Sequence, residues 1–284
     1  MGTSELWVTG AGHVVPGEGG EAQADPLPFL KTRKSRKFMG RQDDLAVIAA
    51  GRALAAAGVS GSERLGLYLA VGYIPFEASD IAPVLAASLD PRGDFSPRLF
   101  GEEGLHRAHP LLTFRCLPNM PAFHVSTNFD VQGPYTVVYP GPGQLYLALE
   151  EAAAALDRGL IDAALLLGVA HQRNFLVEHH FGRIHRPVPP EQLRDAAGCL
   201  VLERPDLAAR RGAAPLRTLR QAEVSFDPDE ARPYREEMRG VEMPAGELGP
   251  ASLPVAVSLA CERGASLEHR LRGRDGIEAS SAWG

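Results

Sequence analysis

Three short, largely apolar runs constrain the fold of this chain most. They are Leu65–Val71 (LGLYLAV), Ile161–Val169 (IDAALLLGV) and Cys199–Glu203 (CLVLE). A strand that is apolar at almost every position leaves no face for water, so its sheet must be covered on both sides. The cover is visible between the runs. Across Phe38–Gly58, residues Leu45, Ile48, Ala49, Arg52, Ala53 and Ala56 recur at helical spacing, and Gly58 supplies a stop. Across Gln144–Arg158, Leu145, Leu149, Ala152 and Leu156 line one helical face. Strands alternating with helices predict an α/β layered core.

The other segments are read by the same rules. Residues 5–9 (ELWVT) read as a first strand, with a turn at Gly10-Ala11-Gly12-His13 and a Gly/Pro/Glu-rich loop over Pro16–Pro28. Phe76–Leu89, Asn119–Val125 and Asp206–Arg211 read as helices, and Tyr135–Tyr139 and Leu216–Val224 as strands. Asp227–Pro250 reads as an acidic, Pro-rich loop. Ala251–Glu262 reads as a helix, and Ser266–Leu271 with Gly276–Ala282 as a terminal hairpin.

Composition excludes several classes. The 284 residues, 45% hydrophobic and 23% charged, are ordinary for a globular protein with a substantial core. The net charge of −6 argues against a nucleic-acid or anionic-membrane surface. The basic run Lys31–Lys37 (KTRKSRK) is the local exception: a solvated loop, or a docking patch for an acidic carrier protein. Cys116, Cys199 and Cys261 show no CxxC spacing, so neither a disulfide framework nor a zinc site is expected, and a reducing, cytoplasmic setting fits. No secretory signal is visible, and no window nears the roughly 18 apolar residues of a membrane span.

The most specific stretch runs from Asn119-Met120-Pro121-Ala122 through Gly133-Pro134-Tyr135-Thr136-Val137-Val138-Tyr139-Pro140-Gly141-Pro142-Gly143 to Gly159 and Asp162. It resembles the central part of β-ketoacyl synthases of the thiolase superfamily. Asp195–Glu203 (DAAGCLVLE) resembles the family's Glu-Gly-Ala-Gly-x-Leu-Val-Leu-Glu, and the opening Val-Thr-Gly-x-Gly also matches. In the family a Gly-Pro opens a buried strand that leads to a nucleophilic cysteine at the start of the next helix. Counting forward from Gly133-Pro134, or backward from Gly159, lands on Pro142. Proline has neither thiol nor hydroxyl, so this position cannot be acylated. It suits the first turn of a helix but removes an amide from the expected oxyanion hole.

The resemblance implies a thiolase-like layered α-β-α fold with the N-terminal half retained (1–226). The C-terminal segment (227–284) is strongly shortened and belongs to the same domain. The family's two catalytic histidine motifs are missing, because His269 in Glu-His-Arg fits neither. The chain is therefore expected to be a non-catalytic subunit resembling chain-length factors of type II polyketide or aryl polyene systems. Its partner would be a full-length β-ketoacyl synthase, and acyl carrier protein would serve the complex. No cofactor and no metal are implied. Tyr73 aligns with a residue that gates the acyl pocket. Leu112, Thr113, Phe114 and Cys116 align with a segment that crosses the dimer interface and closes the partner's tunnel. The strand after Gly133 would pair across the two-fold with its mate.

Other candidates read more plainly. Gln144 sits two residues beyond Pro142; inactive chain-length factors often carry Gln at the cysteine position, but the spacing to Gly159 argues against that match. Cys116 is the one tempting replacement nucleophile, although no acid–base pair flanks it. His179, His180 and His185 have a spacing that could present two imidazoles to a metal, without accompanying carboxylate or thiolate ligands. His171 falls where the family has a Glu and reads as structural. The alternative function is a stand-alone thiolase-fold acyl-transfer or hydrolytic enzyme built on Cys116 or the histidines.

Overall fold

In the computed structural model, which describes residues 5–17, 24–184, 187–227 and 233–284, the apolar runs lie at the centre of one sheet. Its strands are β1 (Leu6–Val14), β2 (Leu65–Val71), β3 (Tyr135–Val138), β4 (Ala163–Ala170), β5 (Ala196–Glu203), β6 (Arg217–Phe226), β7 (Arg235–Arg239), β8 (Leu267–Arg272) and β9 (Ile277–Trp283). Their spatial order is β3-β2-β4-β5-β1-β6-β9-β8-β7. β2 runs parallel to β3 and β4, and all other pairings are antiparallel. β2, β4 and β5 are buried at every residue, as their unbroken apolar character requires.

The helices are α1 (Arg41–Ala57), α2 (Ala78–Ala86), a single turn α3 (Pro97–Leu99), α4 (Leu112–Cys116), α5 (Met120–Phe129), α6 (Gln144–Asp157), α7 (Phe175–Arg183), α8 (Pro205–Arg210) and α9 (Ser252–Arg263). Side chains alternate across each strand, so neighbours serve opposite layers. Leu65, Leu67, Leu69, Leu165 and Leu167 pack with α1 and α5, while Tyr68, Ala70, Leu166, Leu200 and Leu202 pack with α6 and α9. Each fully buried leucine contributes roughly 1.5–3 kcal/mol relative to an exposed one. Ile277, Ala279 and Trp283 of β9 join Leu145, Leu149 and Val257 in that second cluster. The sheet therefore curls, and its β6-β9-β8-β7 end returns over α6 and α9. The tail after residue 226 builds this second wall.

Three expectations need correction. Gly10-Ala11-Gly12-His13 is not a turn but the continuation of β1. A Cβ at Gly10 would stand 2.3 Å from the Ala53 oxygen and one at Gly12 2.5 Å from the Arg52 Cβ, so these glycines let α1 approach the strand. A register shift between Val8 and Gly10 accompanies them. The segment Phe76–Leu89 is helical only over Ala78–Ala86. The supposed loop Asp227–Pro250 contains β7. β3 is an edge of the sheet, with Tyr135 66% exposed. Among the described residues no helix is long and apolar enough to cross a membrane.

Candidate functional site

The chain enters α6 through Tyr139-Pro140-Gly141-Pro142-Gly143, with a cis bond between Tyr139 and Pro140. Successive tight bonds shape the entry: Gln144 N to Gly141 O at 3.1 Å, Leu145 N to Pro142 O at 3.3 Å and Tyr146 N to Gly143 O at 3.1 Å. Pro142 lies two residues ahead of the first helical residue, not in the first turn as the sequence suggested. No residue from Pro140 to Gly143 carries a nucleophile. Gln144, the first residue of α6, donates its side-chain amide to Asp275 Oδ2 at 3.1 Å.

Asp275 belongs to the β8–β9 turn, Gly273-Arg274-Asp275-Gly276, which closes over this helix end. Gly141 and Gly143 make the approach possible. A Cβ at Gly141 would meet Asp275 Oδ2 at 3.1 Å, and one at Gly143 would meet the Ile277 Cβ at 2.8 Å. The neighbouring Arg274 guanidinium lies 3.9 Å from the Tyr234 ring centroid and 5.0 Å from that of Phe181. It also reaches Glu247 Oε2 at 3.4 Å. Burial pushes the Glu247 carboxyl above its ordinary range, Arg274 pulls it back, and Glu236 pushes it up again.

Tyr73 stands beside this group. Its ring packs 4.5 Å from that of His180 and 6.0 Å, edge-on, from that of Phe181. Burial raises its hydroxyl; Arg274 opposes the rise, while Asp275 and Glu247 add to it. The other candidates are carried by a different element, α4. Cys116 is buried and donates to Pro75 O at 3.3 Å. Burial, with Asp80 adding, pushes its thiol up to about 11, which disfavours a thiolate. Leu112 is half-buried and Phe114 is exposed, with its ring 6.1 Å from that of Phe38. Thr113 lies in α4, with its side chain outside the described residues.

The remaining thiols are also held neutral. Burial drives Cys199 far above the thiol range and Cys261 up to about 11. Of the histidine group, His179 Nε2 contacts Arg183 at 3.4 Å and His180 faces Tyr73, while His185 lies outside the described residues. Among the described residues no three His, Cys, Asp or Glu side chains are placed to hold a metal. His171 sits 3.8 Å from Glu77 and 4.0 Å from Asp195. Asp195 itself accepts from the amides of Gln172 and Arg173, each at 3.0 Å.

The sequence reading missed the side chains that gather behind α6. His269, 1% exposed, bonds Tyr146 Oη through Nδ1 at 2.7 Å and Glu236 Oε1 through Nε2 at 3.1 Å. Tyr146 Oη also lies 2.8 Å from Ser281 Oγ, which accepts from Trp283 Nε1 at 2.9 Å. Tyr234 donates to Glu236 Oε2 at 2.8 Å. Only the isolated position of His269 in the tail offered a signal.

Comparison with known proteins places the fold. The family model for the β-ketoacyl synthase N-terminal domain matches residues 8–186, and the chain belongs to that family. Its fold is thiolase-like. A similar solved structure is the AntDE:AntF complex, a type II polyketide synthase acyl-carrier protein with its ketosynthase bound to the hexaketide. It is 18% identical with a TM-score of 0.63, covering 80% of this chain and 70% of that one. The ishigamide ketosynthase/chain length factor is 21% identical with a TM-score of 0.55, covering 79% of this chain and 64% of that one. A β-ketoacyl synthase from Burkholderia phymatum is 18% identical with a TM-score of 0.54, covering 79% and 65%. At these identities the likeness is one of fold, and this chain is the shorter partner in each comparison. No curated protein matches the chain.

Proposed function

We propose that this chain is a non-catalytic, chain-length-factor-like partner of a full-length β-ketoacyl synthase. It would stabilise that enzyme and help to shape its acyl tunnel. The observation that carries the reading is the entry to α6, where Pro142 stands in place of a nucleophile and Asp275 faces the helix end. Thiolase-type condensation needs a thiol and an amide cradle at that point. A chain lacking them can still contribute its fold to a complex.

The surface supports the second half of the reading. β3 is an edge of the sheet among the described residues, and Phe114, Leu117 and Phe123 before it, Tyr135 on it and Tyr139 after it are exposed. Exposed apolar groups of this size mark interaction surfaces when they lie together. In this reading Tyr73, Leu112, Thr113, Phe114 and Cys116 line the interface and tunnel side. The ketosynthase/chain length factor fold among the similar structures fits such a pairing. Acyl carrier protein would deliver substrate to the partner, with Arg33 and Lys34 of the basic run exposed for an acidic surface. Polyketide or aryl polyene assembly, a cytoplasmic setting and the division into 1–226 and 227–284 belong to the same proposal.

Intact-mass analysis tests the catalytic half. After incubation with octanoyl-acyl carrier protein, the wild-type chain is expected to gain no acyl mass, and the full-length synthase to gain one acyl group. An acylated wild-type chain would contradict the reading and direct attention to Cys116.

A further inference from the structure

We infer that the β8–β9 turn is a built-in occupant of the α6 entry. Asp275 fills the ground in front of Gly141–Gly143 while Arg274 anchors the turn to its other side, so this chain keeps no open thioester site of its own. The inference deepens the proposed function and rests on it for one point, that this helix end is where the family's acyl group would react.

Two side chains hold the turn in place by different means. Asp275 bonds Gln144 Nε2 at 3.1 Å through Oδ2 and accepts from Ile277 N at 3.3 Å through Oδ1, which shapes the turn itself. Its carboxylate lies at the end of α6 where the peptide dipoles present positive charge, so the contact is favourable. Arg274 adds an ion pair to Glu247 and the faces of two aromatic rings. Although Arg274 is an exposed residue as a whole, its side chain keeps only 26% of its surface, and that of Glu247 keeps 8%. A guanidinium stacked between rings and paired with a buried carboxylate is costly to pull away, since Glu247 would be left without its cation. The legs of the hairpin are fixed as well, because His269 of β8 and Ser281 of β9 both bond Tyr146 of α6.

The contact also explains why the entry contains glycine on both sides of Pro142. A Cβ at Gly143 would stand 2.8 Å from the Ile277 Cβ, and one at Gly141 would crowd Asp275 Oδ2 at 3.1 Å. The entry is thus closely fitted to the turn.

The test combines exchange on the wild-type protein with binding to a variant. Hydrogen exchange followed by mass spectrometry should show residues 272–277 protected at least roughly tenfold over an unstructured peptide. The thioester probe is octanoyl-N-acetylcysteamine, followed by titration calorimetry. The wild-type chain should show no saturable binding. The double variant Arg274→Gly/Asp275→Gly should bind it, with apparent affinity raised by the open fraction, roughly a hundredfold. Unprotected exchange at the turn, or equal binding by wild type and variant, would overturn the inference. If the double variant fails to fold, Gln144→Ala replaces it, and unchanged exchange at 272–277 in that variant counts against the inference. A protected turn in a chain that ignores every ketosynthase would instead count against the proposed function alone.

Discussion

At the first turn of α1, three buried ionisable side chains sit close together. Asp43 Oδ2 accepts from Gly40 N at 2.7 Å and lies 3.8 Å from His124 Nε2, while Asp44 pairs with Arg36 at 2.8 Å. Burial pushes the Asp44 carboxyl up to about 6, although Arg36 and Arg41 pull it down, and pushes Asp43 well above its ordinary range. Burial drives His124 down to about 4, opposed by the Phe38 backbone. The signs differ. Asp44 contributes stability that is present below its ordinary 3.8 and is lost as pH rises through about 6. His124 contributes stability that is present above its ordinary 6.5 and is lost as pH falls through about 4. The Asp44 and His124 effects are each on the order of 3 kcal/mol and opposed, and Asp43 acts with Asp44. Urea unfolding at pH 4, 5.5 and 7 separates them. Relative to the wild type, Asp44→Asn should tilt the dependence toward stability rising with pH, and His124→Phe should tilt it toward stability falling. Variants that keep the wild-type pH dependence would refute the burial argument.

Among the elements, the hairpin β8–β9 and α6 depend on each other through the chain Glu236–His269–Tyr146–Ser281. Tyr146→Phe removes one hydroxyl and leaves both the His269 and Ser281 contacts open in the interior. A loss of about 1–3 kcal/mol in urea unfolding is expected, with faster amide exchange in β8 and β9. No loss would mean that the chain of contacts does not hold the hairpin. The partners are 123 and 135 residues apart, which is why periodicity could not pair them. The same limit applies to Gln144 and Asp275, 131 residues apart. By contrast, Leu65–Val71 was legible to the residue, because an apolar run bounded by turn residues admits one environment. α6 was legible because Leu145, Leu149 and Leu156 keep helical spacing. β7 (REEMR) was hidden, since its charges read as a loop until β8 lies beside it. Glu237 then opposes Arg270, and Arg239 opposes Glu268. The sequence shows a proline at 142 in the approach to α6, yet nothing in it placed the β8–β9 turn beside that approach.

Across the whole molecule, the curled sheet ends in two unlike edges. β7 carries Arg235, Glu237 and Arg239, the kind of charged edge that discourages strand addition. β3 (YTVV) presents an exposed Tyr135 and adjoins exposed Tyr139. A partner strand should therefore join at β3. Tyr135→Lys is expected to weaken the complex with a ketosynthase at least roughly tenfold while leaving the circular dichroism of the free chain unchanged. A substitution at β7, such as Arg239→Glu, should leave binding intact. The central claim is that this chain works only as the silent half of a pair. Native mass spectrometry of the chain co-expressed with a full-length β-ketoacyl synthase tests that claim most directly. The account predicts a stable 1:1 complex that condenses malonyl units, with no condensation by this chain alone. A monomer or self-dimer that ignores the synthase would contradict it.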